Sequence, residues 1–253
     1  MGGPVVAVVP SRFASTRFPG KPLALIDGIP MIVRVLQQAA KAQYVDEVYV
    51  ATDHEPIAKL AEKAGFAALM TPPECASGTD RIAAGLEQIR GGEPSLIVNI
   101  QGDEPIIEPD DIDALIRESI NSQCPMGTLA RPFPSLERFH DPNVVKVVRA
   151  QNGRALYFSR APIPHNGAQP LMHVGLYAYV PPALRKLSAA APTELELCER
   201  LEQLRALELG IDIHVALATS TRPSIAVDIP DDIERVEAAL RNINLEEVSS
   251  AQT

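Results

Sequence analysis

The stretch Val5-Val6-Ala7-Val8-Val9, continued by the loop Pro10-Ser-Arg-Phe-Ala-Ser-Thr-Arg-Phe-Pro-Gly-Lys-Pro-Leu23, decides how the rest of the chain is interpreted. The apolar run is typical of a buried strand that the proline ends. The loop carries the cations Arg12, Arg17 and Lys21 among hydroxyl side chains and a glycine. Because ligands of open parallel sheets bind beyond the carboxyl ends of the strands, this composition predicts a phosphate-binding site.

The loop matches neither of two common nucleotide-binding motifs. GxxxxGK[ST] is absent, and so is GxGxxG, which disfavours a nicotinamide dehydrogenase. The alternative interpretation is a solvated basic loop after an edge strand.

The charge of the whole chain limits its partners. The 253 residues have room for one large domain or two modest ones, and the formal net charge is -9. Broad electrostatic binding to nucleic acid or to an anionic membrane is therefore not expected. A small anionic ligand has to be held by a local cluster such as the loop.

The cysteines predict a reducing environment. Cys75, Cys124 and Cys198 are odd in number, widely separated and without CxxC spacing, which argues against a disulfide framework and a zinc site. No apolar run approaches the ~20 residues that span a bilayer, and no secretory signal opens the chain. We expect a soluble protein of the cytoplasm.

Strand and helix patterns alternate through the first half. Strands are predicted at 5–9, 47–51, 66–70 and 95–100, and helices from Pro30 as the first helical residue, at 55–64, after Arg81 and from Asp110. This alternation predicts right-handed βαβ units: an α/β fold with a mostly parallel central sheet and helices on both faces.

The pattern changes at Cys124. Short β-like runs at 126–129, 144–148, 155–158 and 173–180 predict a smaller mixed β extension. Helices are predicted at 183–190 and 193–209, the second with Leu195 and Leu197 on its apolar side, then a strand at 211–217. A terminal helix through Leu240 and a frayed end from Asn244 complete the prediction.

Two segments at strand ends are candidate ligand sites. In Ser77-Gly-Thr-Asp-Arg81, Ser77 or Thr79 is expected to cap a helix whose free N–H groups also suit a phosphate or a base. Asp103 follows a predicted central strand and Gly102, which would let the main chain approach a ligand, so Asp103 is a candidate Mg²⁺ ligand. An Asp-containing turn is the alternative.

Eight motifs in order resemble the 3-deoxy-D-manno-octulosonate (KDO) cytidylyltransferase family over residues 4–241. They are Arg12-Phe-Ala-Ser-Thr-Arg-Phe-Pro-Gly-Lys-Pro-Leu23, Ala51-Thr-Asp-His54, Ser77-Gly-Thr-Asp-Arg81, Val98-Asn-Ile-Gln-Gly-Asp-Glu-Pro105, Asn143-Val-Val-Lys-Val-Val148, Leu156-Tyr-Phe-Ser-Arg160, His173-Val-Gly-Leu-Tyr177 and Leu201-Glu-Gln-Leu-Arg205. The resemblance implies a Rossmann-like nucleotidyltransferase fold, a homodimer, CTP and KDO as substrates and Mg²⁺ as cofactor. CMP-KDO for lipopolysaccharide synthesis and pyrophosphate would be the products.

The resemblance also implies roles for individual residues. Arg12, Ser15, Arg17 and Lys21 would hold the triphosphate, Ser77, Gly78, Thr79 and Arg81 would lie near the nucleoside, and Asp103 and Asp228 would hold the metal, with Lys21, Arg17 and Asp103 as the catalytic group. Gln101, Arg160, His173, Tyr177, Glu202 and Gln203 would hold the sugar acid. A single domain is expected, with 1–123 mainly binding CTP, 124–228 mainly binding sugar and forming the dimer, and 229–253 as a helix and tail.

Some observations depart from the family pattern or leave other interpretations open. Asp80 stands where Glu is frequent, Ala226 and Ile229 flank Asp228 where Gly and Thr are frequent, and the segment Pro164–Leu171 matches poorly. Glu202 with Arg205 could be a surface pair, and His173 a satisfied histidine at a strand start. Transfer to sialic acid or an amino analogue of KDO, and a non-catalytic nucleotide-sugar binding protein, are the alternative functions.

Overall fold

The computed structural model describes residues 2–14, 17–133, 135–166, 169–222 and 225–250, with main chain only for Leu136 and for 244–250. The chain packs as two compact units, each made of several segments. The first unit takes the residues up to Val6, Arg90–Asn99 and Asp110–Thr221. The second takes Ala7–Ile89, Ile100–Pro109 and the residues from Arg222 onward. The predicted single domain with a boundary at 123/124 stays a prediction.

Strands and helices alternate through the first half as predicted, apart from two short strands before the first helix that the sequence did not predict. The described elements are β1 (Val5–Ser11), β2 (Leu25–Ile26), β3 (Ile29–Pro30), α1 (Met31–Ala39), β4 (Glu47–Thr52), α2 (Glu55–Lys63), β5 (Ala67–Met70), α3 (Gly78–Gly85), β6 (Leu96–Asn99), α4 (Pro109–Ser122), β7 (Met126–Pro132), α5 (Leu136–His140), β8 (Lys146–Arg149), β9 (Ala155–Ser159), β10 (Leu171–Tyr179), α6 (Pro181–Ala189), α7 (Glu194–Glu199), α8 (Gln203–Glu208), β11 (Ile213–Leu217) and α9 (Asp232–Ser250).

The second unit contains the parallel pair that the first half predicts. Strands β4 and β5 run parallel, with Tyr49 opposite Ala67 and Thr52 opposite Met70. An apolar cluster brings both ends of the unit together, with Ile26, Met31, Ile106, Val227 and Val236 buried in it. Burial of these side chains therefore stabilises the position of the late segment that carries Asp228.

The first unit contains the mixed β extension. Strand β7 lies between β11, which is parallel to it, and β10, which is antiparallel. Strand β10 also pairs antiparallel with β6 and with β8, and β8 pairs with β9. The register between β10 and β7 shifts between Val174 and Tyr177. The α/β fold class with a mixed extension is thus observed.

Three predicted helix boundaries were wrong. The helix predicted at 193–209 is two helices, α7 and α8, because Arg200 adopts a left-handed conformation with φ 56°. Leu195 and Leu197 are exposed and do not line a core. Pro30 precedes α1 as its N-cap, and α9 continues to Ser250, past the frayed end expected from Asn244.

Within the described ranges, no helix combines the length and the apolar character needed to cross a membrane.

Candidate functional site

A cavity of about 320 Å³ lies in the second unit, where the loop after β1 meets three other segments. It is lined by Pro10, Ser11, Arg12, Arg17, Lys21, Pro22, Cys75, Ala76, Ser77, Gly78, Arg81, Gln101, Gly102, Asp103 and Asp228. The structure therefore brings the cationic loop, the segment around Ser77 and the two predicted metal ligands to one cavity. Ser15 lies outside the described residues.

The cationic loop is held in a compact form by one turn and one ring contact. Gly20 has φ 70°, which an L side chain rarely adopts, and it precedes a turn of 3-10 helix at Lys21–Leu23. The ring of Phe13 stacks on His54 with centroids 4.1 Å apart and an angle of 11° between the planes. The loop is thereby tied to the segment that follows β4.

Lys21 is the centre of the ionic contacts in the cavity. Its ammonium group lies 2.8 Å from Asp103 Oδ2 and 3.9 Å from Asp228 Oδ1, and it donates a hydrogen bond of 2.9 Å to the carbonyl of Val227. Arg17 pairs with Asp228 Oδ1 at 2.8 Å. Both predicted metal ligands thus contact the same ammonium group.

Asp228 owes its position to a residue that the sequence interpretation missed. Asp232 Oδ2 accepts hydrogen bonds from the main-chain N–H groups of Asp228 and Ile229 at 2.8 and 3.0 Å. These main-chain bonds, that from Asp228 first, lower the pKa of Asp232. The Val227 N–H also donates to the Asp103 carbonyl at 2.8 Å, which joins the two carboxylate-bearing segments. An acidic residue just inside the last helix was the available signal.

The chemistry of these two carboxylates suits a small hard cation. Asp103 and Asp228 keep 30% and 46% of their side-chain area exposed, so each can offer oxygen to a ligand. Elsewhere in the described part of the chain, no three His, Cys, Asp or Glu side chains gather in a way that could hold a metal ion. Two carboxylates completed by water and phosphate oxygens are a typical Mg²⁺ ligand set.

The segment around Ser77 caps helix α3, as one of the two interpretations expected. Ser77 Oγ accepts from the Asp80 N–H at 3.1 Å, and Asp80 Oδ2 accepts from the Ser77 N–H at 3.2 Å. Ser77 and Gly78 line the cavity as well, whereas Thr79 is buried and does not. The capping interaction and exposure to a ligand therefore coexist in this segment.

The guanidinium of Arg81 is engaged inside the protein. It donates to Asp53 Oδ2 at 2.9 Å and to Thr71 Oγ1 at 2.7 Å, and its side chain is 3% exposed. Arg81 still lines the cavity, but its partner Asp53 was not anticipated, since the two are 28 positions apart. Their ion pair ties α3 to the end of β4.

Gly102 packs closely against the main chain at the end of β1. A Cβ atom at this position would lie 2.8 Å from the carbonyl oxygen of Pro10. The missing side chain therefore permits close packing of two main-chain segments, while Gly102 also lines the cavity, so its expected role in the approach of a ligand stays a prediction. The same proline leaves little room for a side chain at Gly78, where a Cβ would lie 3.0 Å from Pro10 Cγ.

Most of the predicted sugar-acid residues lie in the first unit. Tyr177 Oη donates to Gln203 Oε1 at 3.3 Å, and Gln203 Nε2 is buried without a hydrogen-bond partner among the described residues. Glu202 lies 3.9 Å from Arg205, which is the i,i+3 pair weighed as an alternative. The sixth predicted residue, Gln101, belongs to the second unit and lines its cavity.

His173 is held as a neutral imidazole. Its Nε2 lies 2.9 Å from Thr128 Oγ1, and its ring lies against those of Phe158 and Tyr177 with centroids 5.1 and 5.5 Å away. These two aromatic rings pack against the imidazole of a residue that is half-buried overall. This burial lowers the pKa of His173 to about 3.

Comparisons with known proteins identify similar sequences along most of the chain. A family model described as cytidylyltransferase matches residues 6–213. The 3-deoxy-manno-octulosonate cytidylyltransferase of Myxococcus xanthus (strain DK1622) is 48% identical, over 93% of this chain and 96% of that protein. The protein of the same name in Serratia proteamaculans (strain 568) is 42% identical, over 93% of this chain and 98% of that protein.

A solved structure of CMP:2-keto-3-deoxy-manno-octonic acid synthetase complexed with CTP is similar throughout. It superposes with a TM-score of 0.88 at 37% identity, covering 94% of this chain and 99% of that chain. This similarity confirms the expected Rossmann-like nucleotidyltransferase fold and its mostly parallel central sheet.

Proposed function

The chain belongs to the cytidylyltransferase family, and from this premise we propose that it transfers CMP from CTP to the anomeric hydroxyl of KDO, releasing pyrophosphate. The observation that carries the proposal is the convergence of Lys21, Asp103 and Asp228 in one cavity with the cations Arg12 and Arg17. The similar solved structure is a complex with CTP, and the curated relatives are named for KDO.

The reaction needs positioning and charge neutralisation more than covalent chemistry from the protein. The sugar hydroxyl attacks the α-phosphorus in line, a new P–O bond forms, the bond to the bridging oxygen of pyrophosphate breaks, and the hydroxyl proton leaves to solvent. Arg12, Arg17 and Lys21 would balance the negative charge of the triphosphate and of the leaving pyrophosphate. The main chain around Ser77 and Gly78 lies on another wall of the cavity, where a nucleoside would bind.

Nucleotidyltransferases in general require a divalent metal ion. We propose that this ion is Mg²⁺ and that Asp103 and Asp228 hold it. When bound, the ion supplies positive charge to the phosphate oxygens. Lys21 balances both carboxylates, and Asp232 holds the Asp228 main chain in place. Each carboxylate is therefore fixed by contacts of its own.

The acceptor site is proposed in the first unit. The guanidinium of Arg160 would pair with the sugar carboxylate, for which its planar fork of donors is suited. Tyr177, Glu202, Gln203 and neutral His173 would bind the hydroxyl groups. The buried, unpartnered Nε2 of Gln203 supports this assignment, because such a donor is costly unless a ligand accepts its hydrogen bond.

We also infer a homodimer that works in the cytoplasm, where CMP-KDO would serve lipopolysaccharide synthesis. Support for a dimer comes from the apolar side chains exposed on the first unit, among them Leu156, Leu195 and Leu197 at 50%, 38% and 65%. Light scattering behind size-exclusion chromatography measures the mass of the assembly. A monomer at micromolar concentration would contradict the homodimer.

Pyrophosphate release tests the reaction directly. The chain is incubated with Mg²⁺, one of CTP, UTP or ATP, and one of KDO, an amino analogue of KDO or sialic acid. We expect release with CTP and KDO and a much lower kcat/KM for every other pair. Preference for another sugar acid would support the first alternative, and binding of CTP without release in any mixture would support a non-catalytic protein.

A further inference from the structure

The guanidinium of Arg160 is held by two main-chain carbonyl groups. Its Nε donates to the carbonyl of Glu199 at 2.9 Å, and its Nη1 donates to the carbonyl of Pro142 at 3.1 Å. The two acceptors come from different segments, the end of α7 and the loop before β8. The direction of the guanidinium therefore depends on where these two segments lie.

The carboxylate of Glu199 fixes the first of these segments. Its Oε1 accepts from Ser159 Oγ at 2.6 Å, and its Oε2 accepts from the main-chain N–H of Arg160 at 2.9 Å. Ser159 is 2% exposed, so the contact is shielded from water. Glu199 thus accepts two hydrogen bonds from Arg160, one at its carboxylate and one at its main-chain carbonyl, and a third from the neighbouring Ser159.

Lys146 fixes the second segment. Its side chain is fully buried, and its ammonium group donates to the carbonyls of Asp141, Val144 and Arg160 at 2.7, 2.7 and 2.9 Å. The loop that presents the Pro142 carbonyl is therefore tied to the residue whose guanidinium it accepts. Burial lowers the pKa of Lys146.

Glu199 also ends the helix that leads to two other proposed acceptor residues. Arg200, in its left-handed conformation, turns the chain directly after Glu199, and α8 begins at Gln203 with Glu202 as its N-cap. One carboxylate therefore joins the end of β9, directly before Arg160, to the corner that carries Glu202 and Gln203.

We propose that Glu199 is a positioning residue for the acceptor sugar, which sets the direction of the Arg160 guanidinium relative to Glu202 and Gln203. The inference rests on the proposed function, because it assigns Arg160 to the sugar carboxylate. A bidentate contact with a carboxylate needs the planar fork in one orientation, and a small displacement weakens binding sharply. Glu199 itself has its carboxylate oxygens engaged by the protein and does not contact the sugar.

The test compares Glu199→Ala with Glu194→Ala. Both remove a glutamate side chain from α7, but Glu194 lies on its exposed face. We expect Glu199→Ala to raise KM for KDO by ~10-fold or more, with KM for CTP and kcat within ~3-fold of the parent. Glu194→Ala is expected to leave all three constants unchanged.

Thermal melting shows whether Glu199→Ala is folded. If it is not, two further variants test the proposal. Ser159→Ala removes one of the hydrogen bonds to the Glu199 carboxylate and is expected to raise KM for KDO by ~3-fold or more. Glu199→Gln keeps one oxygen that can accept from Ser159, but its amide nitrogen cannot accept from the Arg160 N–H. Its KM for KDO is therefore expected between those of the parent and Glu199→Ala.

If the parent is active, two results would overturn the positioning role. One is an unchanged KM for KDO in the folded variants, and the other is an equal rise in KM for KDO and for CTP. A parent chain that releases no pyrophosphate with any sugar acid overturns the proposed function, and the inference with it.

Discussion

Lys21 and Asp103, 82 positions apart, form an ion pair of 2.8 Å that is largely shielded from water. The same ammonium group contacts Asp228 and the carbonyl before it, so three distant segments meet at one lysine. This lysine balances both carboxylates, and under the proposed function it would be available to the triphosphate once a metal ion took over that balance. The following predictions depend on this arrangement and on the acceptor residues of the first unit.

Removing the ammonium group is expected to impair CTP use. Lys21→Ala should lower kcat/KM for CTP by ~100-fold or more, because a cation in a water-poor site contributes ~3 kcal/mol to stabilising developing charge. Steady-state pyrophosphate release and thermal melting measure the two effects. Lys59→Ala, at an exposed lysine paired with Glu55, is the control and should behave as the parent. A normally melting Lys21→Ala with near-parent turnover would exclude the loop as the triphosphate site.

Asp103 and Asp228 are expected to act as one unit. Asp103→Asn and Asp228→Asn should each abolish turnover, and the double variant should lose little more, since ligands of one metal ion are not additive. Binding of Mn²⁺ followed by electron paramagnetic resonance gives a readout that is independent of activity, and each variant should bind it more weakly. Asp231→Asn, on the exposed surface beside them, is the control. Unchanged Mn²⁺ binding in both single variants would refute the shared site.

Arg160 and Glu202 are expected to determine acceptor use. Arg160→Ala and Glu202→Ala should each lower kcat/KM for KDO by ~100-fold or more and leave the affinity for CTP within a few fold, because buried polar partners of a substrate are costly to leave unpaired. Arg154→Ala, which breaks an exposed pair with Asp212 in the same unit, should have little effect. Equal losses for KDO and CTP would make these residues structural.

The pair Arg81 and Asp53 is expected to stabilise the fold. Arg81→Ala leaves the Asp53 carboxylate in a shielded place without its cation, which costs ~3–5 kcal/mol of unfolding free energy for a buried pair. Urea unfolding of both single variants and of the double variant gives the coupling between the two side chains. If Arg81→Ala keeps the parent stability and loses CTP affinity instead, its main partner is the nucleotide.

His173 is expected to make stability depend on pH. Burial lowers its pKa from 6.5 to about 3, so between these values the unfolded chain binds a proton that the folded chain does not. The free energy of unfolding should therefore fall as the pH is lowered from about 6.5 towards 4, and His173→Asn should reduce this slope. His214, whose pKa burial also lowers, contributes in the same direction in both proteins.

The control for this pH dependence is His165→Asn, at an exposed histidine. Urea unfolding at about pH 7 and about pH 4.5 gives the slope for each protein. A slope in His173→Asn equal to that of the parent would show that the imidazole is protonated alike in the folded and unfolded chains.

Local pattern was sufficient to predict most elements and the cationic loop. The run from Val5 to Val9 is buried in β1, and Ser77 caps α3, because alternation and capping depend on near neighbours. The same reasoning failed at Arg200, where no glycine or proline marks the break and Leu195 and Leu197 imitate a helical core stripe. The turn depends on contacts that spacing does not reveal.

The contacts that support the site residues could not be predicted either, because they join residues that are far apart in the sequence. Glu199 meets Arg160 across 39 positions, and Asp53 meets Arg81 across 28. Nothing in their immediate sequence distinguishes these acids from solvated ones. Asp232 differs from these two acids. Its place at the start of a helix just after Asp228 could be seen in the sequence, but its hydrogen bond from the Asp228 N–H could not.

The discontinuous make-up of the second unit has a consequence for how the protein becomes active. Lys21 and Asp103 leave the ribosome early, whereas Asp228 and the buried Val227 that secures it belong to a segment made much later. The growing chain therefore lacks the Asp228 carboxylate, which pairs with Arg17, until synthesis has passed this late segment. A nascent chain arrested before that point, or a chain cleaved after Arg222, would keep its cationic loop. It would still lack the Asp228 carboxylate that completes the cavity.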